Sequence, residues 1–320
     1  MFRVTKPEGF GNIQLEEVPI PEVNDRQVRV KSDTTLISRG SELFRRYIRE
    51  EAVSPSIMGY SLTGTVDAVG AAVTDYSVGD RVMVVAPHAE YVIAEPDPTD
   101  GRIVRLLDDV SFEAGTFLPL STSAIAWADS SGVKAGDTVV VLGQGLVGSL
   151  MLQVFRGYDP SRIITVDALR LRCELSTRLG ADAVINGEDT EPVEAVRRLT
   201  DGNGADLVVD CVGGYAGIRS FEQAQDMTRR FGTIQLIALY QQAPLPLDSS
   251  KIMSKRLVAG ILTDEPRSQI VGRALEKIKA GEIRASEMIT HRFHYTEAKA
   301  AFDLLWNSPG DALGVLIKWQ

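Results

Sequence analysis

Residues 138–148 read TVVVLGQGLVG, and this stretch decides the fold. The run 138–143 is short, apolar and rich in β-branched side chains, as expected of a parallel strand buried on both faces. In the loop that follows, Gly143 permits a tight turn, Gly145 lets backbone approach a pyrophosphate, and Gly148 lets the next helix pack closely on the strand. That helix opens at Leu146 and Val147, so its unpaired N–H groups and positive dipole end face the same phosphates. A bare G-x-G-x-x-G is weak evidence. Here it follows a strand and opens a helix, the context in which it marks a dinucleotide site.

Working outward, strand and helix patterns alternate. IITVD (163–167) is followed by a helix with Arg170, Arg172, Glu174 and Arg178 on its polar side. Then come LGADAVIN (179–186), a helix over 191–200, ADLVVDCVG (205–213), a helix near 216–229, GTIQLIAL (232–239) and LVAGIL (257–262). Units of this length predict a doubly wound parallel sheet with right-handed crossovers. Asp167 ends the second strand, 19 residues beyond Gly148. An acid there accepts hydrogen bonds from the adenosine ribose and repels a 2′-phosphate, which favours NAD over NADP; Arg170 nearby partly offsets that repulsion.

The first 121 residues have a different rhythm. Gln27-Val28-Arg29-Val30-Lys31 alternates with the period of a half-buried strand, and residues 64–85 hold two strand-like runs broken by Gly79-Asp80. This predicts a small, barrel-like, mostly antiparallel unit. Helices over 268–280 and 296–307 and a last strand over 314–319 are expected to pack back onto it.

Bulk properties narrow the function. A chain of 320 residues predicts two domains, and its 44% hydrophobic and 24% charged content is ordinary for a globular protein. The net charge of −9 argues against nucleic-acid or anionic-membrane partners. No apolar run reaches membrane-spanning length and no signal peptide is visible, so a cytoplasmic location is expected. Two cysteines, Cys173 and Cys211, fit neither a disulfide framework nor a C-x-x-C metal site, and His88, His291 and His294 are widely spaced.

The segments GTVDAVGAAVTDYSVGDRV, AGDTVVVLGQGLVG, RLGADAVIN and GADLVVDCVG, with the closing apolar strand, resemble the medium-chain dehydrogenase/reductase (alcohol dehydrogenase-like) family over nearly the whole length. The resemblance implies a GroES-like β-rich catalytic domain (1–121 and 263–320) and a doubly wound Rossmann domain (122–262), with the active site in the cleft between them. It also implies Thr122 beside the nicotinamide and Arg39 on the pyrophosphate. Val212 and the strand ends Ile237–Leu239 and Gly260–Leu262, including Ile261, would meet the cofactor. Where zinc members carry Cys, Gly-His-Glu and a later Cys or Glu, this chain has Ser38, Gly59-Tyr60-Ser61 and Leu118, and the four-cysteine lobe is missing. A zinc-free member follows. The combination ISRGSE, GYSLTGTV, APHAEYV and ITHRF is similar to the subgroup typified by the bacteriochlorophyllide hydroxyethyl dehydrogenase. That likeness implies oxidation of a secondary alcohol to a ketone, without implying the chlorin substrate.

Without a metal, a hydrogen-bonding group must stabilise the developing alkoxide. Tyr60, at the former zinc-histidine position, is the first candidate to move the proton, and His88 the second, since histidine titrates near neutrality. Ser38 and Ser41 are candidates for a relay and Glu42 for orienting its neighbours, although turn serines commonly cap backbone. The expected function is a zinc-independent, NAD-dependent oxidoreductase interconverting a secondary alcohol and a ketone. The alternatives are an NAD(P)H-dependent enone or quinone reductase, against which Asp167 argues, and a nucleotide-binding protein without turnover. A homodimer joined through the LVAGIL edge strand, acting on a small-molecule substrate, completes the expectation.

Overall fold

The computed structural model describes residues 1–238 and 244–320. Its contacts divide into two units, Met1–Thr122 with Glu265–Gln320, and Ser123–Asp264.

In the first unit, β1 (Phe2–Thr5) and β2 (Gln14–Glu17) pair antiparallel. The alternation seen at Gln27–Lys31 belongs to β3, a ten-residue strand over Val28–Ile37. β3 lies at the centre of a seven-stranded sheet with β4 (Leu62–Val69), β5 (Arg81–Val84), β6 (Tyr91–Ala94) and β7 (Ile103–Arg105). One end of β3 pairs β6 through Val28–Lys31, and its other end pairs the chain's last strand. Val28, Val30, Leu62, Val66, Val82, Val84, Val92 and Ile103 form one core there. Residues 39–47 wind as a wide helix, closed by an i→i+5 bond from Ile48 N–H to Leu43 O (3.3 Å). Its Leu43 and Tyr47 pack with Phe302 and Leu305 of the helix Ala298–Asn307 in a second core.

The second unit is one parallel sheet. Its strands are β8 (Thr138–Leu142), β9 (Arg162–Asp167), β10 (Ala183–Asn186), β11 (Ala205–Asp210), β12 (Thr228–Leu236) and β13 (Arg256–Ala259), in the order β10-β9-β8-β11-β12-β13. All five pairings are parallel, with helices between successive strands, so the fold is the α/β class expected. Val139, Val140 and Val141 have no exposed surface, as a strand covered on both faces requires.

Boundaries differ from the sequence reading at several elements, β12 among them, which runs over Thr228–Leu236 rather than 232–239. The strand expected over 179–186 starts only at Ala183, because Leu179 N–H still bonds Leu175 O (2.8 Å) at the end of the preceding helix. The helix expected to reach 229 stops at Met227, since Thr228 already pairs Ala205 as the first residue of β12. LVAGIL is a strand only to Ala259. The C-terminal part folds with the first unit as β14 (Ile289–His294) and β15 (Gly314–Lys318), and β15 runs antiparallel to β3.

Candidate active site

In a parallel sheet every strand ends at the same edge, so the loops leaving β8, β9, β11, β12 and β13 gather there. Gly143, Val212, Ile237 and Ile261 each lie one or two residues past a strand end, and Asp167 is the last residue of β9. Gly143 has φ +80°, a conformation that disfavours side chains. A Cβ on Gly148 would lie 1.8 Å from Gly143 O, so only glycine lets this helix start against this strand. A Cβ on Gly145 would meet nothing within 4 Å, which leaves the loop's outer side open. The first intrahelical bond after the loop runs from Ser149 N–H to Gly145 O (2.9 Å). The N–H groups of Leu146, Val147 and Gly148 precede it and form the positive end of an eleven-residue helix.

Asp167 is fixed by the loop it serves. Its Oδ2 accepts from Gln144 N–H (2.6 Å) and its Oδ1 from Leu169 N–H (2.8 Å), and the residue is 8% exposed. Each carboxylate oxygen keeps a second lone pair for a ribose hydroxyl. The arginine beside it is Arg172, with Nη1 3.6 Å from Oδ2, whereas Arg170 is exposed. That corrects the reading of Arg172 as part of the helix's solvated side: the helix turns it inward to an acid five residues earlier. Gln144 is also anchored inward, donating from Nε2 to Val141 O (3.2 Å) and accepting from Ser176 (3.2 Å). These residues fit a dinucleotide.

The first unit holds a polar cluster built on the wide helix. Ser38 lies at its N-cap, and the Ser38 N–H donates to Glu42 Oε1 (2.8 Å). Glu42 Oε2 lies 2.8 Å from His88 Nε2, with both side chains 0% exposed. His88 is pinned further by its N–H to Met58 O (2.7 Å) and by its ring against Phe302. Its Nδ1 has no hydrogen-bond partner. Tyr60 is partly buried, with the Ser38 and Ser41 side chains beside its phenol. Burial pushes the phenol up to about 12, against the pull of the Ser38 and Ser41 hydroxyls, with Glu42 raising it and Arg46 lowering it.

Tyr60, Ser38, Ser41, Glu42 and His88 are thus brought together, but in different roles. His88 and Glu42 are sealed from solvent and bonded to each other, so neither presents a surface to a substrate. Tyr60 does. Ser61 donates to Thr116 O, and Leu118 is fully buried. The donor set at 38, 60, 61 and 118 is therefore two hydroxyls, a phenol and an alkyl group, which does not fit zinc. Among the described residues no group of three or more His, Cys, Asp or Glu could hold a metal ion.

Thr122 Oγ1 donates to Leu118 O (2.7 Å) within its own helix. Arg39 Nε donates to Leu305 O (3.1 Å), and its guanidinium lies 5.0 Å from the Phe44 ring centroid. Ile237 N–H is taken by Asp210 O (3.1 Å), and Ile261 is 47% exposed. Leu239 lies outside the described residues. Sequence reasoning missed Arg46 and Ser121, whose Nη1 and Oγ respectively are buried without a partner. Neither stands in a motif, and no periodicity distinguishes a buried unpaired donor from a solvated one.

Comparison with known proteins agrees with the fold. Residues 24–102 match the alcohol dehydrogenase GroES-like domain, and residues 147–278 match the zinc-binding dehydrogenase family. Sorbitol dehydrogenase of Halalkalibacterium halodurans is 26% identical over 98% of each chain. D-arabitol-phosphate dehydrogenase of Enterococcus avium is 26% identical over 97% of this chain and 95% of its own. Among solved structures, an oxidoreductase/dehydrogenase of unknown specificity from Escherichia coli superposes with TM-score 0.86 at 21% identity, covering 99% of this chain and 98% of that one.

Proposed function

Since the chain belongs to the medium-chain, zinc-binding-type alcohol dehydrogenase family, we propose that it is a zinc-independent, NAD-dependent oxidoreductase interconverting a secondary alcohol and a ketone. The observation that carries this reading is Tyr60: a phenol stands where the family places a zinc-binding histidine, with Ser38 and Ser41 beside it, and no zinc-ligating side chain stands at 38, 61 or 118. The four short motifs shared with the hydroxyethyl dehydrogenase subgroup support the secondary alcohol–ketone reaction class.

The nicotinamide, when bound, supplies the hydride acceptor or donor. The chain's own residues do the rest. The N–H groups of Leu146, Val147 and Gly148 hold the pyrophosphate at the helix N-terminus. Asp167, oriented by Gln144 and Leu169, accepts from the ribose and opposes a 2′-phosphate. During oxidation Tyr60 Oη takes the hydroxyl proton, with Ser38 and Ser41 as the onward path; during reduction it returns it. Glu42 holds the Ser38 end of that path through the backbone, and His88 holds Glu42.

The test is a panel of secondary alcohols with NAD⁺ and of ketones with NADH, run on the wild type and on Tyr60→Phe. The reading expects turnover with at least one pair and a loss of about 10²-fold or more in kcat for the variant. Full activity of Tyr60→Phe would remove the phenol from the mechanism.

A further inference from the structure

We propose that Arg46 binds an anionic group of the substrate, so that the alcohol oxidised here carries a carboxylate or a phosphate. The proposal rests on the oxidoreductase reading and narrows its substrate class.

Arg46 lies on the wide helix one turn beyond Ser41 and Glu42, which places it on the face that carries the polar cluster. The residue is partly buried, and its Nη1 is buried with no hydrogen-bond partner. A guanidinium has five donors and always carries its charge, so a buried N–H without an acceptor is costly. Two other cations of this unit show the satisfied case: buried Lys6 Nζ donates to the carbonyls of Pro7, Arg49 and Glu51, and Arg81 Nη2 donates to Val110 O (2.6 Å).

Arg46 Nη1 takes no acceptor from the cluster: it bonds neither the Glu42 carboxylate nor the hydroxyls of Ser38, Ser41 and Tyr60. Glu42 already accepts from Ser38 N–H at Oε1 and lies against His88 at Oε2. The guanidinium is nonetheless close enough to Tyr60 to favour its phenolate electrostatically. What remains beside the phenol is a fixed positive charge and an unmet N–H donor. An anion with two acceptor oxygens side by side satisfies both, and carboxylate and phosphate are the groups that match a guanidinium's fork.

The test uses matched pairs that differ in one anionic group: butan-2-ol against 3-hydroxybutyrate, and sorbitol against sorbitol 6-phosphate. The proposal expects kcat/KM to favour one anionic member by about tenfold or more in the wild type, with the two pairs separating carboxylate from phosphate. In Arg46→Met the ratio should fall toward unity, and Arg46→Lys should restore part of it. A second arm needs no turnover: malonate and inorganic phosphate are titrated calorimetrically into the wild type and into Arg46→Met. Saturable binding lost in the variant supports the proposal even if no alcohol in the panel is oxidised, so its fate separates from that of the oxidoreductase reading. Equal kcat/KM within each pair would overturn it, as would anion binding unchanged in Arg46→Met. A loss of activity in Arg46→Met equal for neutral and anionic substrates would also overturn it, because that outcome means Arg46 only tunes the Tyr60 phenol.

Discussion

The carboxylate of Glu42 and the imidazole of His88 meet at 2.8 Å with neither side chain exposed, 46 residues apart in sequence. Glu42 also accepts the Ser38 N–H, so one acid ties the start of the wide helix to the segment that carries His88. In Glu42→Gln an amide N–H would replace one acceptor, and His88 would have to change tautomer to keep the contact. Unmet buried groups of this kind cost about 1–3 kcal/mol. Thermal unfolding of Glu42→Gln should fall by several degrees; an unchanged midpoint would show that the pair contributes nothing to stability.

Tyr60 makes the two directions of the reaction respond differently to pH. Its phenol titrates near 12, so it is protonated throughout the neutral range. Reduction uses the protonated phenol and should be flat from pH 6 to about pH 9. Oxidation uses the deprotonated form, so its rate at saturating alcohol should climb toward about tenfold per pH unit while pH stays below that value. In Tyr60→Phe the slope of the oxidation profile should vanish along with most of the rate. An oxidation profile that plateaus near pH 7 would assign the proton to another group.

On the proposed reading, cofactor choice turns on Asp167. NADH should stabilise the protein against heat markedly more than NADPH does at equal concentration, because the carboxylate opposes a 2′-phosphate. Asp167→Ser removes that opposition together with the contact to Arg172, so the NADPH/NADH affinity ratio should rise by about tenfold or more. Greater protection by NADPH in the wild type would reverse the assignment.

Much of the dinucleotide half was legible in the sequence because its determinants are local. A strand, three glycines and a helix start occur within eleven residues, and the glycines act through their own backbone. Arg172 was not legible, since its polar neighbours in the helix suggested solvent and only the turn toward Asp167 shows otherwise. The polar cluster was visible as residue types but not as roles. That His88 is sealed and bonded to Glu42 depends on how β3, the wide helix and residues 58–61 come together, which no spacing encodes. Arg46 shows the same limit, because an unmet donor is a property of what surrounds it.

One edge of the second unit's sheet is apolar. β13 is the terminal strand on that side, and Leu257, Ile261 and Leu262 are 44%, 47% and 66% exposed, with Met253 at 73% and Phe231 at 66%. Exposed apolar edges invite pairing, and we propose that a second copy of this chain covers this one about a two-fold axis. Light scattering should give twice the chain's 34.8 kDa. The double variant Ile261→Glu/Leu262→Glu should shift the protein toward monomer; a monomeric wild type would refute the pairing.

The central proposal is that Tyr60, with Ser38 and Ser41, does here what zinc does in zinc-binding members of the family. The most direct measurement is the metal content of active protein, read by mass spectrometry alongside turnover before and after exhaustive treatment with a chelator. The account predicts zinc far below one per chain and turnover unchanged by chelation. Stoichiometric zinc that leaves together with activity, and restores it when added back, would contradict it.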